Sequence, residues 1–132
     1  MSKPILLITG GGRGIGAATA KLAARQGYRV VINYRKDATS AEQVIADILA
    51  SGGLAHCIQA DISDAEQVTK LFDRIHQTWG AISALVNNAG VLETQMTFVE
   101  TDLNRWKRIF ETNVFGTMLC SQAAFKHMAI SQ

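Results

Sequence analysis

Glycines and small polar residues cluster directly after an apolar run near the start of this 132-residue chain. The cluster follows Ile5–Ile8 and reads Thr9-Gly10-Gly11-Gly12-Arg13-Gly14-Ile15-Gly16. Backbone N–H groups of a strand–turn–helix segment bind phosphate, because they converge at the positive end of the helix dipole. Gly10 would permit the tight turn, Gly14 would let a pyrophosphate approach, and Gly16 would let the helix pack close to the strand. The spacing T-G-x-x-x-G-x-G predicts dinucleotide binding, with an ordinary flexible turn as the alternative.

A second set of candidate binding residues ends the second apolar run, where the chain reads Asn33-Tyr34-Arg35-Lys36. In dinucleotide-binding folds an acidic residue here holds the 2′-hydroxyl of NAD, whereas a basic residue accommodates the 2′-phosphate of NADP. No carboxylate occurs before Asp37, and Arg35 can pair with a phosphate bidentately, with Arg13 in reach of the same group. We therefore predict a preference for NADP(H) over NAD(H). The alternative is that the basic residues form a solvated charge cluster.

The elements that must position these residues are visible as apolar, β-branched runs that alternate with longer segments of helical period. This alternation is typical of βαβ units and a parallel sheet. The predicted strands are Ile5–Ile8, Arg29–Ile32, Ala55–Gln59 and Ile82–Val86. The third run is half polar, which indicates a place nearer the sheet edge. The predicted helices begin after the glycine cluster, near Ser40, after Ser63 and near Asp102.

Helical spacing also predicts which side chains face the sheet. They are Ile15, Ala18, Thr19, Leu22 and Ala23 on the first helix, Val44, Ile48 and Leu49 on the second, and Val68, Leu71, Phe72, Ile75 and Trp79 on the third. The last helix is predicted to run from its N-cap Asp102 to about Met128. Its middle, Val114–Phe125, is apolar nearly all round and has to be covered on more than one side.

Composition and charge narrow the class of protein. A chain that is 48% hydrophobic and 18% charged can build a core, so residues 1–132 are expected to form one domain. A formal net charge of +2 gives no support for nucleic-acid binding. The run Ile5–Ile8 is too short to span a membrane, and Met1–Ile8 lacks the features of a signal peptide. We therefore expect a cytoplasmic protein with no membrane partner.

The cysteines and histidines give no further site. Two cysteines, Cys57 and Cys120, fit a reducing compartment and are expected to behave as small core residues. The histidines His56, His76 and His127 lack the spacing of metal ligands, so no metal site is predicted.

Four features together carry a resemblance to a known family. They are the glycine turn Thr9–Gly16, Asp61 after the third run, Asn87-Asn88-Ala89-Gly90 after the fourth, and Asn113 in the long helix. In these the chain resembles the N-terminal half of a classical short-chain dehydrogenase/reductase, and more narrowly it is similar to sugar dehydrogenases and 3-oxoacyl reductases. The resemblance covers the whole chain in order. It implies an α/β fold of Rossmann type, a doubly wound parallel sheet of about four strands in the order 3-2-1-4 with flanking helices.

The resemblance also implies roles by matching position. Asp61 would contact the adenine ring beside the backbone of Ile62, although from spacing alone Asp61 or Ser63 could instead cap the following helix. The turn Asn88–Gly90 would lie against the cofactor's ribose. Asn113 would perturb its helix and support, through a water, a proton relay to a catalytic lysine. The alternative for Asn113 is a polar residue satisfied in place.

The family's reaction is hydride transfer between a nicotinamide and a carbonyl or secondary alcohol, carried out with a serine, a tyrosine and a lysine. Neither Tyr28 nor Tyr34 is followed four residues later by lysine, so the chain itself is expected to bind cofactor without catalysing the reaction. It would be a fragment of a longer enzyme, a truncated paralogue serving as a non-catalytic, dinucleotide-binding or regulatory module, or a half completed by a partner chain. The fragment is favoured, because a bare fourth strand is an aggregation liability. The resemblance further implies a homodimer or homotetramer through the helix containing Val114–Phe125.

Overall fold

A four-stranded parallel sheet organises the computed structural model, which describes residues 2–130 of the chain. Met1, Ser131 and Gln132 of the predicted domain lie outside the described residues. The strands are β1 (Ile5–Ile8), β2 (Arg29–Tyr34), β3 (Leu54–Gln59) and β4 (Ala84–Val86). They pair in the order β3-β2-β1-β4, which confirms the Rossmann-type order 3-2-1-4 and places the half-polar β3 at a sheet edge.

Helices cover both faces of this sheet, and the continuous apolar strand sequences follow from that. Helix α1 (Gly14–Arg25) and helix α2 (Ala38–Ala50) pack on one face, and helix α3 (Ala65–Trp79) packs on the other. All four residues of β1 are buried, and alternate side chains point to opposite cores. Residues predicted for the core face of α3 form part of one core, namely Val68, Leu71, Phe72 and Ile75, with Trp79 packed against it.

Aspartate side chains cap the N-termini of three of the helices. Asp37 accepts from Ser40 N ahead of α2, and Asp64 accepts from Glu66 N and Gln67 N ahead of α3. Asp102 accepts from Arg105 N ahead of α4 (Leu103–Phe110), which confirms the predicted N-cap. The alternative that Asp61 or Ser63 caps α3 is wrong, because Asp64 occupies that position.

The predicted single helix from Asp102 to Met128 is interrupted. After α4 the chain forms a π-helical segment, Glu111–Gly116, and then continues as helix α5 (Thr117–Ile130). Gly116 is buried in the wider turn, and a Cβ built on it would lie 2.9 Å from the side chain of Ile62. Hydrophobic periodicity does not reveal this segment, because it leads into Val114–Phe125, which is apolar nearly all round and defines no single face.

Small residues of α1, and not its large ones, face the sheet. The buried positions are Gly16 and Ala20, whereas Ile15 is 81% exposed and Leu22 is 51% exposed. The predicted inward face of α1 is therefore wrong for its large side chains, although Ala23 does pack against the core. A Cβ on Gly16 would lie 2.5 Å from Asn88 Nδ2, so this helix approaches the strands too closely for large inward side chains.

Two further core predictions are corrected in the same way. Leu49 of α2 is 51% exposed beside Ile48, which is only 2% exposed. On α5, Cys120 and Ala124 are buried in the core, but Met118 and Phe125 remain exposed. The apolar length Val114–Phe125 is thus covered on one side by the chain's own residues. Within the described part of the chain, no helix has the length and apolar character needed to cross a membrane.

The neighbouring residues Ile48 and Leu49 give a matched test of this packing. We expect Ile48→Ala to lower the free energy of unfolding by about 2–4 kcal/mol, because it leaves a cavity between α2 and the sheet. Leu49→Ala, which removes the same number of carbons from an exposed site, should cost under about 1 kcal/mol. Urea unfolding followed by circular dichroism measures both. Equal losses would contradict the inward face assigned to α2.

Candidate functional site

A cavity of about 550 Å³ opens at the carboxyl ends of the strands, where parallel α/β sheets bind their ligands. It is lined by Gly10, Gly12, Arg13, Gly14, Asn33, Tyr34, Arg35, Lys36, Asp37, Ala60, Asp61, Ile62, Asn88, Ala89, Gly90, Val91 and Thr112. The structure thus brings together all the predicted cofactor-binding residues except Thr9, Ile15 and Gly16. Ala60, Val91 and Thr112 also line the cavity, but they belong to no sequence motif and reach it only through the fold.

Helix α1 gives the cavity its capacity to bind an anion. Its N-cap residue, Arg13, has an extended backbone and makes no side-chain cap hydrogen bond, in contrast to the aspartates ahead of α2, α3 and α4. The first-turn N–H groups of α1 are therefore left for a ligand. Gly14 lines the cavity with φ +53°, and a Cβ built there would meet no heavy atom within 4 Å. This open backbone fits a phosphate group.

The glycine turn ahead of α1 is held by specific contacts. Gly10 has φ +63°, and a Cβ on it would lie 2.9 Å from the Cα of Ala89. The N–H of Gly11 donates to the carbonyl of Asn33 at 3.1 Å, and Gly10 N donates to the Asn33 side-chain oxygen at 3.4 Å. The buried Asn33 also donates from Nδ2 to the carbonyl of Ala60 at 3.0 Å. One asparagine side chain therefore links the ends of β2 and β3 to the turn.

Thr9 lies beneath the cavity and does not line it. Its side-chain oxygen accepts from Asn88 N at 3.1 Å and from Ala89 N at 3.0 Å. Asn88 in return donates from Nδ2 to the carbonyls of Thr9, at 3.1 Å, and Gly10, at 2.9 Å. Thr9 is fully buried. Thr9 therefore fixes the turn that begins at Asn88 against the glycine turn, and a direct contact of Thr9 with the cofactor stays a prediction.

The other two residues that do not line the cavity belong to the first turn of α1. Ile15 directs its side chain to the surface, and Gly16 is buried against Asn88 and Gly10. The Ile15 side chain therefore has no cavity contact, although the backbone of Ile15 belongs to the uncapped helix start.

Acidic and basic side chains meet at the ends of β2 and β3. Asp61 Oδ1 accepts from Ser63 N at 3.0 Å and from Ser63 Oγ at 2.7 Å, while Asp61 Oδ2 lies 3.7 Å from Arg35 Nε. The Ser40 hydroxyl and backbone N–H, which donate to Asp37, hold the pKa of Asp37 below its usual range. The nearby charge of Arg13 adds to that lowering of the pKa. Asp37 is therefore ionised at neutral pH.

Asn113 lies in the π-helical segment and uses its whole side-chain amide on one residue. Its Nδ2 donates to the carbonyl of Val91 at 3.1 Å, and its Oδ1 accepts from Val91 N at 2.7 Å. The Asn113 carbonyl accepts from the Thr117 hydroxyl at 3.2 Å. Asn113 does not itself line the cavity, whereas its neighbour Thr112 does. Its side chain thus fixes the chain after Gly90 to the perturbed helix, and the proton-relay role stays a prediction.

The histidines and cysteines lie apart from the cavity. His56 packs edge-on against Trp79, with ring centroids 4.2 Å apart, and the rings of His76 and His127 are 5.5 Å apart. Burial raises the pKa of Cys120 to about 11, so its thiol stays protonated at neutral pH. Among residues 2–130 no group of three or more His, Cys, Asp or Glu side chains is placed to hold a metal ion.

Comparison with known proteins identifies relatives over nearly the whole chain. The family model for short chain dehydrogenase matches residues 4–132. An uncharacterised oxidoreductase of Escherichia coli K12, YgfF, is 47% identical over 126 residues, which are 96% of this chain and 51% of that protein. A 3-oxoacyl-[acyl-carrier-protein] reductase of Synechocystis is 36% identical over 128 residues, 97% of this chain and 51% of that protein. The chain therefore spans about half the length of the curated relatives it matches.

A solved structure shows the same arrangement of elements. The short chain dehydrogenase of Burkholderia cenocepacia J2315, crystallised in complex with NADP, superposes with a TM-score of 0.88 at 40% identity. The match covers 94% of this chain and 50% of that one.

The buried hydroxyl of Thr9 allows a matched test of the cavity floor. We expect Thr9→Val to lower the free energy of unfolding by about 2 kcal/mol or more, because it leaves the N–H groups of Asn88 and Ala89 without their acceptor. Thr9→Ser keeps the acceptor and should cost about 1 kcal/mol from the lost methyl group. Chemical denaturation compares the two variants. A Thr9→Val protein as stable as Thr9→Ser would contradict this role.

Proposed function

The chain belongs to the short-chain dehydrogenase family, and from this membership we propose that it is the cofactor-binding half of an NADP(H)-dependent oxidoreductase. The proposed reaction of the whole protein is hydride transfer between the nicotinamide and a small-molecule carbonyl or secondary alcohol. The observation that carries the proposal is the uncapped start of α1, where Gly14 faces a cavity that also holds Arg13 and Arg35. The NADP complex of the Burkholderia cenocepacia relative supports the choice of cofactor.

Each part of the cavity fits one part of the dinucleotide. The pyrophosphate would be held by the first-turn N–H groups of α1, because Gly14 leaves its backbone open there. Asp61 and Ile62 would contact the adenine, and the turn Asn88–Gly90 would lie against a ribose. When bound, the nicotinamide supplies or accepts the hydride. This chain's own residues bind and orient the cofactor.

Basic side chains support the proposed preference for NADP(H). Arg13, Arg35 and Lys36 line the cavity, and the side chain of Arg35 is 52% exposed with its guanidinium paired only loosely with Asp61 at 3.7 Å. A phosphate with nearly two negative charges gains more from such a group than a hydroxyl does. Asp37, the carboxylate that could hold a 2′-hydroxyl, already accepts two hydrogen bonds from Ser40.

The acid–base residues of the reaction are proposed to come from outside this chain. Tyr28 and Tyr34 are its tyrosines, and neither precedes a lysine by four positions. The chain also matches only about half of its relatives' length.

The lack of a Tyr-x-x-x-Lys pair in this chain also supports a second candidate function, a non-catalytic dinucleotide-binding or regulatory module built on the same cavity. The presence of a Tyr-x-x-x-Lys pair and of hydride transfer in the whole protein decides between the two.

The exposed apolar residues support a proposed homodimer or homotetramer. Met118 and Phe125 of α5 are exposed beside the half-exposed Phe115, all within the apolar length Val114–Phe125. Several exposed large apolar side chains on one helix are typical of subunit interfaces. The cytoplasmic location expected from the sequence stays a prediction.

Cofactor binding and catalysis by this chain can be measured separately. We expect the 132-residue chain to bind NADPH but to show no NADPH oxidation above background with ketones, sugars or 3-oxoacyl substrates. The reason is that the chain contains no tyrosine followed four positions later by lysine, the pair that would carry out the proton transfer. Fluorescence titration and absorbance at the nicotinamide band give the two readouts. The whole protein assayed over the same panel is the positive control, and turnover by the 132-residue chain would contradict the proposal.

Cofactor preference is tested by reversing one charge. We expect Arg35→Asp to shift the ratio of NADPH to NADH affinity toward NADH by about tenfold or more, because a carboxylate repels the 2′-phosphate and accepts from the 2′-hydroxyl. Arg25→Asp makes the same charge change in the last turn of α1, away from the cavity lining, and should leave that ratio within about twofold. Equal shifts in both variants would contradict the assignment.

A further inference from the structure

Arg35 and Asp61 face each other at the ends of neighbouring strands. Arg35 directly follows β2 and Asp61 comes two residues after β3, and the two strands are paired up to Tyr34 and Gln59. The side chain of Gln59 donates to the carbonyl of Arg35 at 2.9 Å. The backbone that carries Arg35 is therefore tied to the same strand that leads into Asp61.

The carboxylate of Asp61 is fixed in its direction. Its own N–H donates to the side chain of Gln67 at 2.8 Å, and its Oδ1 accepts twice from Ser63. The second oxygen, Oδ2, points to Nε of Arg35 at 3.7 Å. Among residues 2–130 this carboxylate is the one partner of the Arg35 side chain. Arg35 is half-exposed and adaptable, whereas Asp61 is mostly buried and held.

We propose that Asp61 is a specificity-determining residue that competes with a nucleotide 2′-phosphate for Arg35 and limits the preference for phosphorylated nucleotides. This inference rests on the proposed binding of NADP(H) in the same cavity. A ligand phosphate has to draw the guanidinium away from Asp61 or bind it beside a fixed negative charge. A 2′-hydroxyl meets neither cost, because it carries no charge. Asp61 therefore narrows the difference in affinity between the two kinds of nucleotide.

Two physical effects have opposite signs here. The ion pair with Asp61 orders Arg35, which helps a phosphate, but an exposed pair of this kind contributes little. Repulsion between Asp61 and a phosphate of nearly two negative charges is the larger effect, since both charges would lie beside the same guanidinium. Removing the Asp61 charge should therefore strengthen the discrimination in favour of the phosphate.

The test uses the adenine half of the cofactor alone, as adenosine 2′,5′-bisphosphate and AMP, titrated calorimetrically into the protein that carries this chain. The measured quantity is the dissociation constant of AMP divided by that of the bisphosphate. A loss of adenine contact weakens both nucleotides equally and therefore cancels in this ratio. We expect Asp61→Asn, which keeps a side-chain oxygen for Ser63, to raise the preference for the bisphosphate roughly three- to fivefold. In an Arg35→Ala background the same substitution should change the ratio less than twofold.

Asp37→Asn is the matched control, because it removes a carboxylate from the same cavity and asparagine also serves as an N-cap. Its effect on the ratio should be smaller than that of Asp61→Asn and should not depend on Arg35. An unchanged or lower ratio in Asp61→Asn, with the bisphosphate preferred by the unmodified protein, would overturn the role of Asp61 alone. Equal binding of both nucleotides to the unmodified protein and to Asp61→Asn would overturn the cofactor preference as well.

Discussion

The close approach of α1 to the sheet is the constraint on which the rest of this structure depends. Gly16 sits where a Cβ would come within 2.5 Å of Asn88 Nδ2 and 2.7 Å of the carbonyl of Gly10. No side chain larger than hydrogen allows the helix to start at this place, so the N–H groups of its first turn open into the cavity only because Gly16 is there. The exposure of Ile15 follows from the same geometry, because the small residues of α1 occupy its inward face.

Polar side chains then hold the loops around the helix start, and two of them, Thr9 and Asn33, are buried. Thr9, Asn33 and Asn88 satisfy backbone groups from three different strand ends, and Asn113 does the same for Val91 after the fourth strand. An unsatisfied buried donor is costly, so Thr9 and Asn33 determine the positions of the loops as well as their stability. The positions of the charged residues depend in turn on the strands and loops that carry them. Arg35 and Asp61 meet because both follow paired strands.

Much of the fold and of the site could be predicted from sequence because the signals are local. Apolar runs alternating with helical segments indicated a parallel α/β sheet, and the glycine spacing located the start of α1. The amphipathic period of α3 identified its buried face correctly. For α1 the same reasoning failed, since it assumed that the largest side chains face inward. The exposed Leu49 is an error of the same origin, whereas the π-helical interruption of the final helix leads into a stretch that is apolar nearly all round and has no single face to mark it.

The sequence by itself determined the strand–turn–helix motif, the order of the elements and the basic residues after the second strand. Only the tertiary structure decided that Thr9 lies beneath the cavity and that the second oxygen of Asp61 faces Arg35. The physical reason is distance along the chain. Motifs and helical periods are set by neighbours in sequence, whereas these roles depend on contacts between residues far apart in sequence, which exist only once the strands are paired.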